Sequence, residues 1–310
     1  MIILDDITKI YNKLKHTTGG KNASYIPQLA KVNPDLYAIS IYTIDGQRFD
    51  VGDYKKEFAI ESCSKVFSLA LALETFGIPV LKKKIGTYES SSEFNSVSAT
   101  DTSENHTMNS FNNGGAMATT SLLFDKDKKK FEKKIIDNMS NFAGRKLHID
   151  QNIYNSEISN SEHNLSLAYL LKSYKRFYSD VPTTVDVYTR QCSTMVTTQD
   201  VAIMAATLAN RGINPKTKKQ VMREVNIPYI LTHMITNGLY NESENWMTDV
   251  GMPAKSGVSG LLLIVVPGIM GIGIASPPID KRGNSTKGIK TAKLLAKLFS
   301  KKLNYNIYFK

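Results

Sequence analysis

The chain has 310 residues, 42% hydrophobic and 22% charged, with a formal net charge of +11. That is enough apolar material for one large core or two tightly joined lobes. Its two cysteines, Cys63 and Cys192, give no disulfide framework and read as reduced, buried thiols of a cytoplasmic protein. Met1 to Asp6 turns polar at once and has no signal-peptide pattern. The most apolar run, Leu261 to Ala275, is too short to span a bilayer and is broken by Pro267, Gly268, Gly271 and Gly273. The histidines, His16, His106, His148, His163 and His233, form no metal-ligand spacing, so no metal and no cofactor is expected. The lysines are scattered over polar faces. They imply no nucleic-acid or membrane partner, but attraction for small anionic or zwitterionic ligands.

Taken in order, Ile3, Ile7, Ile10, Tyr11 and Leu14 fall at helical spacing, with Asp5 and Asp6 in the first turn. Gly19-Gly20 ends that helix, and Ala23 to Leu29 reads as turn-like. Leu36 to Tyr42 is a strand, Asp45-Gly46 a hairpin turn, and Gln47 to Val51 the returning strand. Phe58 to Leu73 reads as a short apolar approach and then a helix, with Ser62 at the turn and Gly77 terminating it. Residues 82–112 read as long irregular loops. A helix is predicted from Asn113 through Leu122, and a solvated surface helix or loop from Asp125 to Lys134. Tyr154 to Glu157 precedes a helix from Glu162 to Tyr174. Thr197 to Asp200 is a capping box for a helix from Val201 to Leu208. Strands return at Lys255 to Val258, Leu261 to Val266 and Ile272 to Ala275, and a final helix runs from Lys287 to Leu298. The expected fold class is α+β: an antiparallel sheet of N- and C-terminal strands, flanked by the first and last helices, with an inserted helical middle. The whole chain is expected to form one domain, an α/β lobe of about 1–64 and 250–310 with a helical lobe of about 65–249.

Ser62 and Lys65 are three residues apart, so on a helix they share a face at roughly 5–6 Å between Cβ atoms. Everything past Lys65 is apolar or small, so the lysine should lose solvation and its pKa should fall. A neutral lysine can take the serine proton and make a nucleophile. The backbone N–H of Ser62, in the first turn, is free to hold an oxyanion. S-x-x-K also arises by chance, with Ser62 a helix cap and Lys65 reaching solvent. Serine acyl-enzymes of the β-lactamase and penicillin-binding class combine this pair with a later K-T-G element. Here Lys255-Ser256-Gly257 opens a predicted strand at the corresponding place.

Further blocks make the likeness specific. They include Tyr25-Ile26-Pro27-Gln28-Leu29-Ala30, Thr43-Ile44-Asp45-Gly46, Phe94-Asn95-Ser96, Asn113-Gly114-Gly115-Ala116 and Tyr154-Asn155-Ser156-Glu157. Asn164, Tyr188 to Ser193, Tyr240, Pro253 to Val258, Ser276-Pro277-Pro278 and Gly283-Asn284-Ser285 continue the series. From about Tyr25 to about Gly288 the chain resembles the serine-dependent glutaminases of the β-lactamase-like fold. The resemblance implies hydrolysis of L-glutamine to L-glutamate and ammonia without a cofactor, in a homodimer or homotetramer. It makes Ser62 the nucleophile and Lys65 its base, gives the oxyanion to the N–H groups of Ser62 and Val258, and places Tyr188 and Tyr240 as proton carriers. Tyr25, Asn113, Glu157 and Asn164 would hold the amino-acid end of glutamine. Alternatives are another serine acyl-enzyme hydrolase of this fold, or a non-catalytic basic interaction protein that keeps it.

The chain departs from the family pattern at Tyr88-Glu89-Ser90-Ser91, where Glu-Pro-Ser-Gly is usual. It departs again at Asn109-Ser110-Phe111-Asn112, where Asn-Pro-apolar-Ile is usual. Gly114 replaces an alanine, His163 an arginine and Thr189 an aromatic. These changes spare every residue with an implied role. Loss of the proline is expected to loosen the wall beside Asn113.

Overall fold

The computed structural model describes residues 4–89 and 93–303, so Ser90 and Ser91 lie outside the described residues. The strands are β1 (Ala38–Thr43), β2 (Arg48–Gly52), β3 (Phe58–Ala59), β4 (His148–Ile149), β5 (Thr194–Val196), β6 (Ala254–Gly257), β7 (Leu261–Val266) and β8 (Met270–Ala275). Five of them form one antiparallel sheet in the order β2-β1-β8-β7-β6, which joins N- and C-terminal strands as expected. A second small sheet, β3-β5-β4, was not anticipated; strands of two or three residues are too short to show a period.

Both faces of the large sheet are covered, which is why β7 is apolar at every position. Leu262, Ile264 and Val266 join Ile7, Ile39 and Phe299 under the Leu4–Leu14 and Thr286–Leu303 helices. Leu261, Leu263 and Val265 join the helical core around Val66, Phe67 and Phe142. The Thr198–Ala209 helix, opened by the expected Thr197–Asp200 capping box, lies directly on β8. A Cβ on Gly271 would stand 2.1 Å from Ala206 N and 2.2 Å from Ala202 O, and one on Gly273 2.3 Å from Thr198 O. Glycine is required at both positions because two backbones meet there.

Several boundaries differ from the sequence reading. The helix after Ser62 begins at Lys65, and Glu61–Ser64 is a 3₁₀ turn. Tyr154 to Glu157 lies inside a helix, Gln151–Ile158, rather than ahead of one; Asp150 caps it through the N–H groups of Asn152 and Ile153. Residues 82–112 are not wholly irregular, since the Ile78–Lys84 helix runs into them and Val97–Thr102 is helical. Short helices of this kind carry too few turns for a periodic signal. The charged run near residue 125 resolves into the Lys128–Ala143 helix, capped by Asp127 and burying Phe131, Ile135, Met139 and Phe142. No single helix among the described residues is long and apolar enough to cross a membrane.

Gly271→Ala is expected to lower unfolding stability by at least about 2 kcal/mol, because the clash is with backbone that cannot rotate away. Urea denaturation measures this; an unchanged midpoint would show that the helix and sheet can separate at no cost.

Candidate active site

The nucleophile turn is pinned from both sides. Ile60 N–H donates to Thr194 O at 2.8 Å, and Cys63 Sγ donates to Lys255 O at 3.2 Å. A Cβ on Gly257 would meet Ile60 O at 3.0 Å and Glu61 Cβ at 3.3 Å, so the glycine of Lys255-Ser256-Gly257 lets β6 run against the turn. The two sequence motifs are therefore in contact. Ser62 is 9% exposed. Its backbone N–H and that of Val258, just past β6, donate no hydrogen bond within the described residues.

Lys65 is 1% exposed. Its Nζ donates to Phe111 O at 2.9 Å and to Asn113 Oδ1 at 2.6 Å. Burial pushes the amine down to about 8, against smaller opposing effects from Cys192 and Glu61. Two acceptors match the two N–H bonds of a neutral amine and leave its lone pair free. The expected direct pairing with Ser62 is absent from the hydrogen bonds of Lys65 among the described residues. The group facing the Ser62 side chain is the Tyr240 phenol, which also lies 3.4 Å from Ser256 O. Burial raises the phenols of Tyr240 and Tyr188 above the usual tyrosine range, so both keep their protons at neutral pH.

A second buried amine has no assignment from the sequence. Lys255 is fully buried, donates to Gly238 O at 3.0 Å and Ser256 O at 2.9 Å, and lies 4.3 Å from the Tyr240 ring centroid. Burial, and then Lys65, hold it well below the ordinary lysine range. Its signal was the first letter of the K-S-G motif. Asn109, the one polar residue of its block that keeps the usual type, has no role from the sequence, yet it fixes the acceptor of Lys65. Its Oδ1 accepts from Phe111 N–H at 2.8 Å and Asn112 N–H at 3.1 Å. Its Nδ2 donates to Tyr88 O at 2.8 Å and Asn237 Oδ1 at 3.0 Å. The wall beside Asn113 thus includes a turn closed by the side chain of Asn109, next to Ser110, where proline is usual.

Asn113, the first residue of the Asn113–Leu122 helix, links Lys65 to Asn164, donating to Asn164 Oδ1 at 3.2 Å. Glu157 accepts from Ser193 Oγ at 3.0 Å. Burial pushes its carboxyl up to about 7. Tyr188 is 3% exposed on the Val181–Cys192 helix. That helix is tied to the Lys65–Phe76 helix by Gln191, which bonds Ser64 and Ser68. Tyr25 is 57% exposed, yet within electrostatic reach of Tyr240, Glu61 and Glu157. Tyr25, Tyr240 and Val258 line a cavity of about 820 Å³, along with Phe94, Arg282 and Gly283; the other expected residues do not line it. Glu61, Glu157 and Cys192 each bring a ligand-type atom within 4.8 Å of the others. Burial raises all three groups toward their protonated forms, which suits a metal ion poorly.

A sequence model of the glutaminase family matches residues 20–308. The chain belongs to the glutaminase family. It is 44% identical over 277 residues to a glutaminase of Mycobacterium ulcerans, covering 89% of this chain and 87% of that one. It is 42% identical over 306 residues to a glutaminase of Colwellia psychrerythraea, covering 99% and 96%. Among solved structures, a probable glutaminase superposes with a TM-score of 0.95 at 40% identity, covering 99% of this chain and 98% of that one. A probable glutaminase from Bacillus subtilis, complexed with 6-diazo-5-oxo-L-norleucine, superposes at 0.84 with 30% identity, covering 96% and 93%. The α+β, β-lactamase-like fold expected from the motifs is the fold of this family member.

Both cysteines of this glutaminase are free and buried, and burial pushes the Cys63 thiol up to about 12. The native protein should leave both thiols unreacted with an aromatic disulfide reagent at pH 8, and release two equivalents after unfolding in guanidinium. Rapid native labelling would mean that the turn carrying Ser62 opens.

Proposed function

We propose that this glutaminase hydrolyses the side-chain amide of L-glutamine through an ester on Ser62. The observation that carries the reading is Lys65: a buried amine held by two acceptors and lowered to about 8, one turn from a serine hydroxyl. A side-chain amide is a weak electrophile, so its cleavage needs a covalent acyl intermediate and a stabilised oxyanion. Ser62 Oγ attacks the amide carbon and its proton passes to Lys65, with the Tyr240 phenol positioned to relay it. The N–H groups of Ser62 and Val258 receive the oxyanion; one such donor is typically worth about 3–4 kcal/mol. The C–N bond breaks as the nitrogen accepts a proton from the lysine side, by way of Tyr240 or Tyr188, and leaves as ammonia. Water then cleaves the ester, freeing L-glutamate and restoring the serine.

At the other end, Glu157 is the partner for the α-ammonium, while Asn164 and Tyr25 serve the α-carboxylate and the rim. Asn113 holds Lys65 with its oxygen, so its part in binding is shared with the base. Self-association as a dimer or tetramer and residence in the cytoplasm belong to the same reading, supported by the family resemblance alone.

Ammonia release from glutamine, with asparagine as comparison, tests the reading. Ser62→Ala should reduce kcat by at least about 1,000-fold. Lys65→Arg should lose at least about 100-fold, since arginine stays charged. Because the base must be neutral and the ammonium partner ionised, kcat/KM should climb with pH through about 7, where Glu157 ionises, and about 8, where Lys65 loses its proton. No glutamine-dependent ammonia, or an active Lys65→Arg enzyme with a flat profile, would overturn it.

A further inference from the structure

Glu61 is buried beside the nucleophile yet has no part in the chemistry above. It is 4% exposed, and its Oε1 has no hydrogen-bond partner among the described residues. Its backbone is left-handed, with φ of 49°. A residue with a side chain holds that conformation only where its surroundings enforce it, a pattern concentrated at functional sites. Its turn lies against β6, where a Cβ added to Gly257 would stand 3.3 Å from Glu61 Cβ. The side chain reaches a cluster with Glu157 and Cys192, whose ligand-type atoms lie within 4.8 Å of its own.

Two ionised carboxylates at that separation, away from water, repel strongly, and such pairs keep a proton between them. Burial and Glu157 together outweigh the amine that acts on Glu61, that of Lys65, so a dianion is not supported. Glu157 comes from the Gln151–Ile158 helix, and Tyr188 and Cys192 from the Val181–Cys192 helix. Tyr25, Cys63 and Tyr240 are neutral, because burial raises each of the three groups. Lys65, lowered by burial to about 8, pulls Glu61 the other way, but as the smallest of the influences on it.

We propose that Glu61 is a positioning residue that keeps its proton, donates it to Glu157, and fixes Glu157 as a single carboxylate aimed at the α-ammonium of the substrate. The pair then meets one positive charge with one negative charge. The donated hydrogen bond favours the ionised form of Glu157, so it also sets the pH at which that partner becomes available. Only the substrate arm of this inference rests on the glutamine reading; the shared proton does not.

The experiment compares wild type, Glu61→Gln and Glu61→Ala. Glutamine, an amide that still donates, should raise KM for L-glutamine by no more than about threefold and leave the acid limb of the KM profile near its wild-type position. Alanine, which cannot donate, should raise KM at least tenfold, change kcat by less than threefold, and move the acid limb to higher pH. Infrared difference spectra of the substrate-free protein at neutral pH should show a protonated-carboxyl C=O band that both substitutions remove. Equal KM effects of glutamine and alanine, loss in kcat in place of KM, or no Glu61-dependent carboxyl band would each overturn the proposal. Wild type lacking glutaminase activity would instead sink the substrate reading, and the infrared band would still decide whether the proton is held.

Discussion

Dehydration of Lys65 is the constraint on which the site depends. An amine in water carries three N–H bonds and a charge, and as such is no base. Starting an apolar helix with lysine moves that amine into the core, where burial lowers it to about 8 and brings the neutral form within reach of physiological pH. The surrounding residues fit the neutral form. Phe111 O and Asn113 Oδ1 accept two N–H bonds, Asn109 closes the turn that presents Phe111 O, and Gln191 fixes the first turn of the helix through Ser64 and Ser68. Lys255 follows the same logic with Gly238 O and Ser256 O. Each of these amines also raises the cost of charging the other, so neutrality at one reinforces it at the other.

The sheet supplies what the helical core cannot, a rigid second backbone donor. Ser62 and Val258 are far apart in sequence, and β6 running against the nucleophile turn is what brings their segments together. That approach needs Gly257 and is locked by the Cys63 thiol on Lys255 O. β6 is in turn held at the end of a sheet whose β8 lies on the backbone of the Thr198–Ala209 helix. Packing far from the chemistry is thereby coupled to the geometry of the proposed oxyanion donors, where small displacements are costly.

Much of this was legible in the sequence where a pattern is long or where residue type and chemistry coincide. The apolar runs of β1 and β7, the hairpin at Asp45-Gly46, the capping box at Thr197 and the order of the two motifs all carry mechanisms that act locally. What was not legible depends on neighbours distant in the chain. Nothing around Asn109 says that its amide would tie three segments together, since its partners Tyr88 O and Asn237 lie elsewhere in the chain. The i, i+3 spacing of Ser62 and Lys65 suggested a direct contact. The 3₁₀ turn ahead of the helix gives Ser62 the Tyr240 phenol as its neighbour and leaves Lys65 to a carbonyl and an amide. Glu61 drew no attention because a single acid beside a turn is ordinary on a surface; its meaning comes from Glu157, which the chain brings to it across nearly a hundred residues.

The site has a charge gradient that explains why it suits a zwitterion with an uncharged reactive end. Around Ser62 burial favours the neutral form of every ionisable group, lowering the amines of Lys65 and Lys255 and raising the phenols of Tyr188 and Tyr240. There, developing negative charge meets backbone dipoles that need no reorganisation. At Glu157 the same dehydration acts on a carboxyl, raising it to about 7. One physical cause, removal of water, therefore lowers an amine at one end and raises a carboxyl at the other. A basic chain of +11 keeps the approach favourable for an α-carboxylate, while the proposed ammonium site is acidic. Under the proposed binding mode, a peptide-linked residue would bring no ammonium to Glu157. It would leave the carboxyl pair buried and unmatched, which gives a discrimination that shape alone in an open cavity of about 820 Å³ would not.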